Sequence, residues 1–308
     1  MAKVSVIIPT HNRAEYLRLA IASVLNQSYR GLEIVIVDDA SADNTFEVVT
    51  SFDDERIKYL RHALCKGGSA ARNTGIMNSS SKYVAFLDDD DEWLPDKLRK
   101  QLDLLEKASS KIGAVYTGHM VVDYNSRNVI RIWSPKKRGN IYEAMFEANW
   151  VSTTSSVLLR RECFERVGLF DENLPSFQDY DMWIRISKEF NFEYINETLV
   201  KYRIHGDKIW TNLEALDRGI ELMLKKYGES PAFRKNYSNY YLGLGVGHCN
   251  KGNIEKGREA FISAIRLYPF DIRHYFNLFL SFLGADNFRR LKEIKKFKHQ
   301  ADIKKISI

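Results

Sequence analysis

Apolar positions in the first hundred residues come in short unbroken runs separated by segments of three-to-four periodicity. Residues 3–9 (Lys-Val-Ser-Val-Ile-Ile-Pro) are rich in β-branched side chains and show no exposed-face alternation, which predicts a strand buried on both faces. Behind them Tyr16, Leu19, Ala20, Ser23, Val24 and Gln27 recur at helical spacing. The rhythm repeats with a buried strand over 33–37, a helix over about 44–51 and a short strand near 57–60. A helix over about 69–79, a strand over 82–87 and a helix over about 95–108 follow. Continuously apolar strands alternating with helices predict an α/β fold with a mostly parallel sheet flanked by helices. Residues 113–205 mix strands (114–116, 155–159, 193–202) with helices (161–167, 180–190), and everything from about 213 onward reads helical. There Tyr241, Leu244, Gly245, Gly252, Phe261, Ala264 and Pro269 fall at the offsets of one tetratricopeptide-like helix pair. That pair is open to two readings, a helical hairpin packed on the main domain or a groove for a partner.

Polar punctuation at the strand ends brings in chemistry. The run 33–37 leads into Asp38 and Asp39, the run 82–87 into Asp88, Asp89, Asp90 and Asp91, and the first strand into Pro9, Thr10, His11, Asn12 and Arg13. Parallel strands put these ends on one edge of the sheet, where open α/β sheets bind ligands. Carboxylates gathered there repel one another unless positive charge joins them, and a divalent cation bridging to substrate phosphates is one answer. The same acids also read as turn residues and helix caps, with Asp91 or Asp96 capping the next helix. Between them, Gly67, Gly68 and Ser69 open a helix that carries Arg72, a place for an anion. No Gly-Lys-Ser/Thr follows, so this is not a phosphate-binding Walker loop, and the glycines at 243, 245 and 247 follow no strand and make no dinucleotide fingerprint. Asp179 and Asp181 open an amphipathic helix, either as partners of its dipole or with one of them as a general base.

Composition narrows the setting. The chain has 308 residues, a formal charge of +6 and 44% hydrophobic residues, which excludes a mostly disordered protein. Residues 287–308 hold eight basic and two acidic side chains, so the whole excess lies there and the rest is neutral. A neutral body with an acidic crevice argues against nucleic acid as partner. Phe288, Leu291, Ile294 and Phe297 in that tail have helical spacing among the cations, open to an anionic membrane surface or to a solvated terminal helix. The N-terminus shows no leader pattern, and the longest apolar stretch, near 275–283, is far short of the roughly 20 residues that span a bilayer. Cys65, Cys163 and Cys249 are scattered without metal-ligand spacing. The expectation is an unexported, cytoplasmic protein.

Seven segments in order are specific. They are residues 4–13 (Val-Ser-Val-Ile-Ile-Pro-Thr-His-Asn-Arg), 34–41 (Ile-Val-Ile-Val-Asp-Asp-Ala-Ser) and 68–75 (Gly-Ser-Ala-Ala-Arg-Asn-Thr-Gly). Residues 86–95 (Phe-Leu-Asp-Asp-Asp-Asp-Glu-Trp-Leu-Pro), 168–172 (Gly-Leu-Phe-Asp-Glu), 178–183 (Gln-Asp-Tyr-Asp-Met-Trp) and 202–207 (Tyr-Arg-Ile-His-Gly-Asp) complete them. Over about residues 3–210 the chain resembles the inverting family 2 glycosyltransferases of GT-A fold, which use nucleotide-sugar donors. The resemblance implies a GT-A domain over 1–212, with a nucleotide-binding half to about 95 and an acceptor half from about 96. A helical region over 213–286 and the basic tail over 287–308 follow it. It implies that Pro9, His11 and Asp39 hold the base and ribose, that Arg72 lies by the diphosphate, and that Asp88 and Asp89 contact ribose and donor sugar. Asp90 is implied as ligand of Mn²⁺ or Mg²⁺, with His205 near the metal, and Asp179 as the general base. Gln178 departs from the family, standing where an acid commonly precedes the base. The implied reaction moves one sugar, from a UDP-sugar for choice, to a hydroxyl of a glycan or lipid-linked acceptor in cell-envelope polysaccharide synthesis. The tail suggests peripheral contact with the inner face of the plasma membrane. Trp150 and Ser152, Thr153 and Thr154 are the expected acceptor contacts. Two alternatives stand beside this: a partner-binding scaffold using the helical C-terminus, and a sugar-phosphate nucleotidyltransferase, whose Gly-rich loop after the first strand is missing here.

Overall fold

The computed structural model describes residues 2–123, 126–204 and 212–291. The chain divides into two compact units, Met1–Lys208 and Ile209–Ile308. The first is built on four parallel strands in the order β3-β2-β1-β4: β1 (Val4–Thr10), β2 (Leu32–Asp38), β3 (Ile57–Arg61) and β4 (Tyr83–Phe86). Helices α1 (Ala14–Leu25), α2 (Thr45–Thr50) and α3 (Gly68–Met77) connect them. β1, β2 and β4 are almost wholly apolar because both faces are covered, whereas the outer strand β3 is partly exposed and carries Lys58 and Arg61. Val4, Val6, Ile8, Ile34, Ile36 and Ala85 pack with Leu17, Ile21 and Val24 of α1 in one core cluster. On the opposite face α3 comes so close to β1 that a Cβ on Gly75 would lie 2.4 Å from Ile7 Cγ2.

The rest of this unit extends the sheet in mixed sense. In chain order come β5 (Glu92–Trp93), α4 (Lys97–Lys107), β6 (Ile112–Asp123), β7 (Val129–Trp133) and α5 (Tyr142–Glu147). A 3-10 turn (Thr154–Ser156), β8 (Val157–Arg160), α6 (Glu162–Val167), α7 (Gln178–Glu189) and β9 (Asn191–Ile204) follow. The nine-stranded order runs β3-β2-β1-β4-β8-β6-β9-β5, with β7 on β6. The parallel expectation holds for β1 to β4 and for the β6–β9 pair, whereas β8 runs antiparallel to both its neighbours.

Pro9 sits inside a central strand, a position proline normally avoids because it cannot donate to the ladder. Its place explains the tolerance. β4 accompanies β1 only as far as Ile7, with a last bond from Leu87 N to Ile7 O at 3.0 Å. Beyond Ile7 the two strands part, so Pro9 lies where no partner on that side needs its N–H. That divergence opens the crevice at the point where the strand order reverses.

The second unit is helical among its described residues: α8 (Leu213–Tyr227), α9 (Pro231–Asn250), α10 (Ile254–Leu267) and α11 (Ile272–Ser281). Asn212, Ser230 and Asp271 cap α8, α9 and α11 with side-chain oxygens, and Pro231 occupies the first turn of α9. The pair α9–α10 turns at Gly252 (φ +88°) and packs glycine on ring, a Cβ on Gly245 falling 2.4 Å from Phe261. This is the hairpin whose offsets the sequence displays.

Candidate active site

Each group in the crevice is positioned by an element whose sequence explains it. Asp38 ends β2 fully buried, and its oxygens accept from Ser41 N (2.8 Å) and Tyr59 Oη (2.5 Å), so it braces the loop after β2. Asp39, 3% exposed, is turned toward residues 62–67. Its Oδ1 meets His62 Nδ1 (2.7 Å) and Lys66 N (2.8 Å), and its Oδ2 meets Gly67 N (2.7 Å) and the Cys65 thiol (3.2 Å). Burial alone would raise the Asp39 carboxyl, but His62 and the other donors outweigh it and hold the group below its ordinary value. His62 Nε2 lies 2.9 Å from Thr74 Oγ1, which ties this carboxylate to α3. His11 is exposed and donates from Nδ1 to Asp39 O at 2.7 Å, leaving Nε2 to accept from Asn12 (3.0 Å).

The run after β4 divides its labour. Asp88 Oδ1 accepts from Arg72 (2.6 Å) and Oδ2 from Thr154 Oγ1 (3.0 Å). Asp89, buried, accepts from Thr10 Oγ1 (2.8 Å) and Arg13 (3.1 Å), and the same guanidinium stands 3.5 Å from Asp90. Burial, joined by the charge of Asp90, pushes Asp89 up to about 6 against the pull of Arg13. Asp91 is fully buried and structural, accepting from Ser155 Oγ (2.7 Å) and Arg203 N (3.2 Å). It caps no helix, and Asp96, at the N-cap position of α4, takes its bonds from Ser28 and Arg99 instead.

Asp179 and Asp181 separate cleanly. Asp181 is fully buried and paired with Arg185 at 2.9 Å, whose other nitrogens donate to Val167 O and Leu169 O. Asp179, partly exposed in the first turn of α7, accepts from Tyr180 N (2.7 Å) and lies within the fields of Arg72 and Asp88. Burial pushes its carboxyl up to about 6, with Tyr180 N–H and Arg72 pulling down and Asp88 pushing up. The structure thus gathers Pro9, His11, Asp39, Arg72, Asp88, Asp89, Asp90 and Asp179 about the C-terminal edge of β1, β2 and β4. His205 lies outside the described residues.

Several functional neighbours escape a reading of the sequence. Arg13 and Arg61 join the expected Arg72 in answering the carboxylates from within the chain, so these acids sit together on the protein's own cations. Arg13 carries a signal in hindsight, as the cation that directly follows β1. Asn73 stitches α3 to the 168–172 loop, donating to Phe170 O (2.9 Å) and Glu172 (2.8 Å) and accepting from Phe170 N (2.9 Å). Thr154, expected among the acceptor contacts, donates to Asp88, and Trp150 donates to Ala144 O. Asn12, Ala40, Ser152 and Phe177 all have left-handed backbone (φ 52–71°), and Phe177 immediately precedes α7. Such strain in non-glycine residues collects around functional clefts.

A hard divalent ion is commonly held by one or two carboxylates, with phosphate oxygens and water completing its shell. Among the described residues no group of three or more His, Cys, Asp or Glu forms a cage of its own. Asp90, its carboxylate 3.5 Å from Arg13, is of the chemistry that could share such an ion with a substrate phosphate.

Comparison with known proteins gives a consistent result. The profile described as glycosyl transferase family 2 matches residues 5–168. An uncharacterized glycosyltransferase of Rickettsia prowazekii is 33% identical over 206 residues, 66% of this chain and 64% of its own length. The chain spans between 30% and 64% of the Rickettsia relatives it matches. An Escherichia coli UDP-Glc:alpha-D-GlcNAc-diphosphoundecaprenol beta-1,3-glucosyltransferase is 31% identical over 79% of this chain and 93% of its own. Among solved structures, Staphylococcus aureus TarS 1–349 in complex with UDP superposes with a TM-score of 0.61 at 16% identity, over 96% of this chain and 92% of that one. A Pyrobaculum calidifontis mannosyltransferase in complex with GDP-Man and Mn²⁺ gives 0.59 at 17% identity, over 99% and 87%.

Proposed function

The chain belongs to glycosyl transferase family 2, and on that footing we propose that it transfers one sugar from a UDP-sugar to an acceptor hydroxyl with inversion, using Asp179 as base. The observation that carries this reading is the position of Asp179. It is the acid that shares the crevice with Arg72 and Asp88 from the acceptor side of the sheet, while Asp181 is spent on Arg185. A carboxyl raised to about 6 is ionised at neutral pH yet basic enough to take a proton from an attacking hydroxyl. In that step the acceptor O–H proton passes to Asp179, the oxygen bonds to the anomeric carbon, and the bond to the nucleoside diphosphate breaks on the opposite face.

The leaving diphosphate needs positive charge. Arg72 is assigned to it, and what supports this is that its Nε is buried without a hydrogen-bond partner among the described residues, as is Ser69 Oγ in the same first turns of α3. Mn²⁺ or Mg²⁺, held by Asp90 with the donor's phosphates, would supply further charge to the leaving group. Asp39 and His11 are assigned to the base and ribose beside Pro9. All four donors now on Asp39 come from the chain, so a base N–H must share an oxygen, most readily the one bonded by the weak Cys65 thiol donor. Asp88 and Asp89 are assigned to ribose and donor sugar, with Arg13 keeping Asp89 in place.

UDP as carrier is supported by the name of the E. coli relative, and a lipid-linked sugar diphosphate as acceptor rests on that name too. A donor panel read by nucleotide release tests the reading. UDP release that requires acceptor and divalent metal, and that Asp179→Asn abolishes while UDP·Mn²⁺ affinity persists, is the expected result. Retained turnover in Asp179→Asn would move the base elsewhere.

A further inference from the structure

The second unit exposes an apolar surface on and around α11, where Arg258 lies over the Phe282 ring (4.3 Å) and Phe270 meets Tyr268 edge-on. On α11 Ile272 is 78% exposed, Phe276 48% and Phe279 65%, with Phe282 at 64% after it and Phe270 at 85% ahead. The other face of the helix buries His274, Asn277, Leu280 and Ser281. Aromatic side chains are turned outward while three of the four buried residues are polar, a distribution that water as sole neighbour does not select. At roughly 200 Å² per aromatic side chain the patch is on the order of 500 Å², near the upper end of what monomeric proteins leave open.

We propose that this face of α11 is a docking surface for an anionic lipid bilayer, its phenylalanines entering the headgroup region while adjacent cations meet lipid phosphates. Charge selects this occupant. Phe288 is fully buried against the Phe261 ring (centroids 6.2 Å apart), so the chain is tied to the core immediately before Arg289, Arg290 and Lys292. The basic tail, eight cations against two acids over 287–308, therefore follows α11 within ten residues of the chain. An apolar face followed in the chain by a strongly basic segment is complementary to acidic headgroups. A second copy of the chain would bring the same positive charge to the contact, which opposes self-association. No described helix is long and apolar enough to cross a membrane, and an interfacial contact asks for none. The contact rests on residues 270–283 and stands apart from the sugar-transfer reading.

Co-sedimentation of the full chain with vesicles of phosphatidylglycerol and phosphatidylethanolamine, against phosphatidylcholine alone, is the test. Binding to the acidic vesicles is expected in low salt. The double variant F279E/F282E should lower the bound fraction at least tenfold with unchanged helical circular dichroism. In a Phe279→Trp variant the introduced indole should be quenched by brominated acyl chains beyond the wild-type level. Three results overturn the proposal: no binding to acidic vesicles, wild-type binding by F279E/F282E with no added quenching in Phe279→Trp, or a dimer in light scattering that F279E/F282E dissociates.

Discussion

Two aspartates two positions apart on α7 have opposite fates, and the difference can be measured. Asp179 is raised to about 6 chiefly by burial, so the proposed base is ionised above that pH. The kcat/KM of transfer should fall about tenfold per pH unit below 6, a limb absent from the residual activity of Asp179→Asn. The same shift has a sign in stability. A carboxyl with a higher pKa folded than unfolded favours the fold when protonated, and that contribution is lost as pH rises from about 4 through 6. Asp179→Asn should therefore be more stable than wild type at pH 7.5 by on the order of 1–2 kcal/mol, with the advantage gone near pH 4. Urea titrations at the two pH values check it. Asp181→Asn should do the reverse at pH 7.5. Losing the buried partner of Arg185 should cost about 2–4 kcal/mol in the same titrations, with kcat per folded molecule near wild type.

At the level of elements, the clearest dependence is of the site on α3. Gly75 has no room for a methyl group against Ile7, so the helix carrying Arg72 and Asn73 rests directly on β1. Gly75→Ala should overpack this contact by about 1–3 kcal/mol and raise the KM for donor more than it lowers kcat, measured by thermal melting and steady-state rates. β1, β2 and β4 are legible in the sequence because burial on both faces leaves a nearly unbroken apolar run, which the partly exposed β3 lacks. β5 is not, because two residues, Glu92 and Trp93, become a strand only by pairing with Lys201 and Val200 from far along the chain. β7 is mostly exposed and breaks the apolar pattern, and the run read as a strand from 155 begins as a 3-10 turn. The acids of the site are legible for a related reason, since their place at strand ends is a local fact. Their partners are not: Arg13 with Asp89, Thr154 with Asp88 and Asn73 with Phe170 meet only after the sheet is assembled. Nothing in the sequence marks Lys97 as buried, yet its amine lies 2.8 Å from Gln101 Oε1 and 3.9 Å from the centre of the Trp93 ring.

For the whole molecule, two units with separate cores imply two partly independent stabilities. One cluster is built from β1, β2, β4, α1 and α4, and another from Cys249, Phe261, Leu280 and Phe288 in the helical unit. All the residues assigned to donor and metal, His205 included, belong to the first unit by sequence. A ligand that binds the folded state alone stabilises it by about 2.7 kcal/mol at a hundred times its Kd. UDP with Mn²⁺ should accordingly raise the melting of the first unit by several degrees and leave a second transition in place, read by scanning calorimetry of the full chain. Asp90→Ala should remove the metal-dependent part of that rise and keep whatever UDP contributes alone. A rise that survives in full in Asp90→Ala would take the ion away from Asp90. A single transition that donor shifts as a whole would mean that the two units unfold together.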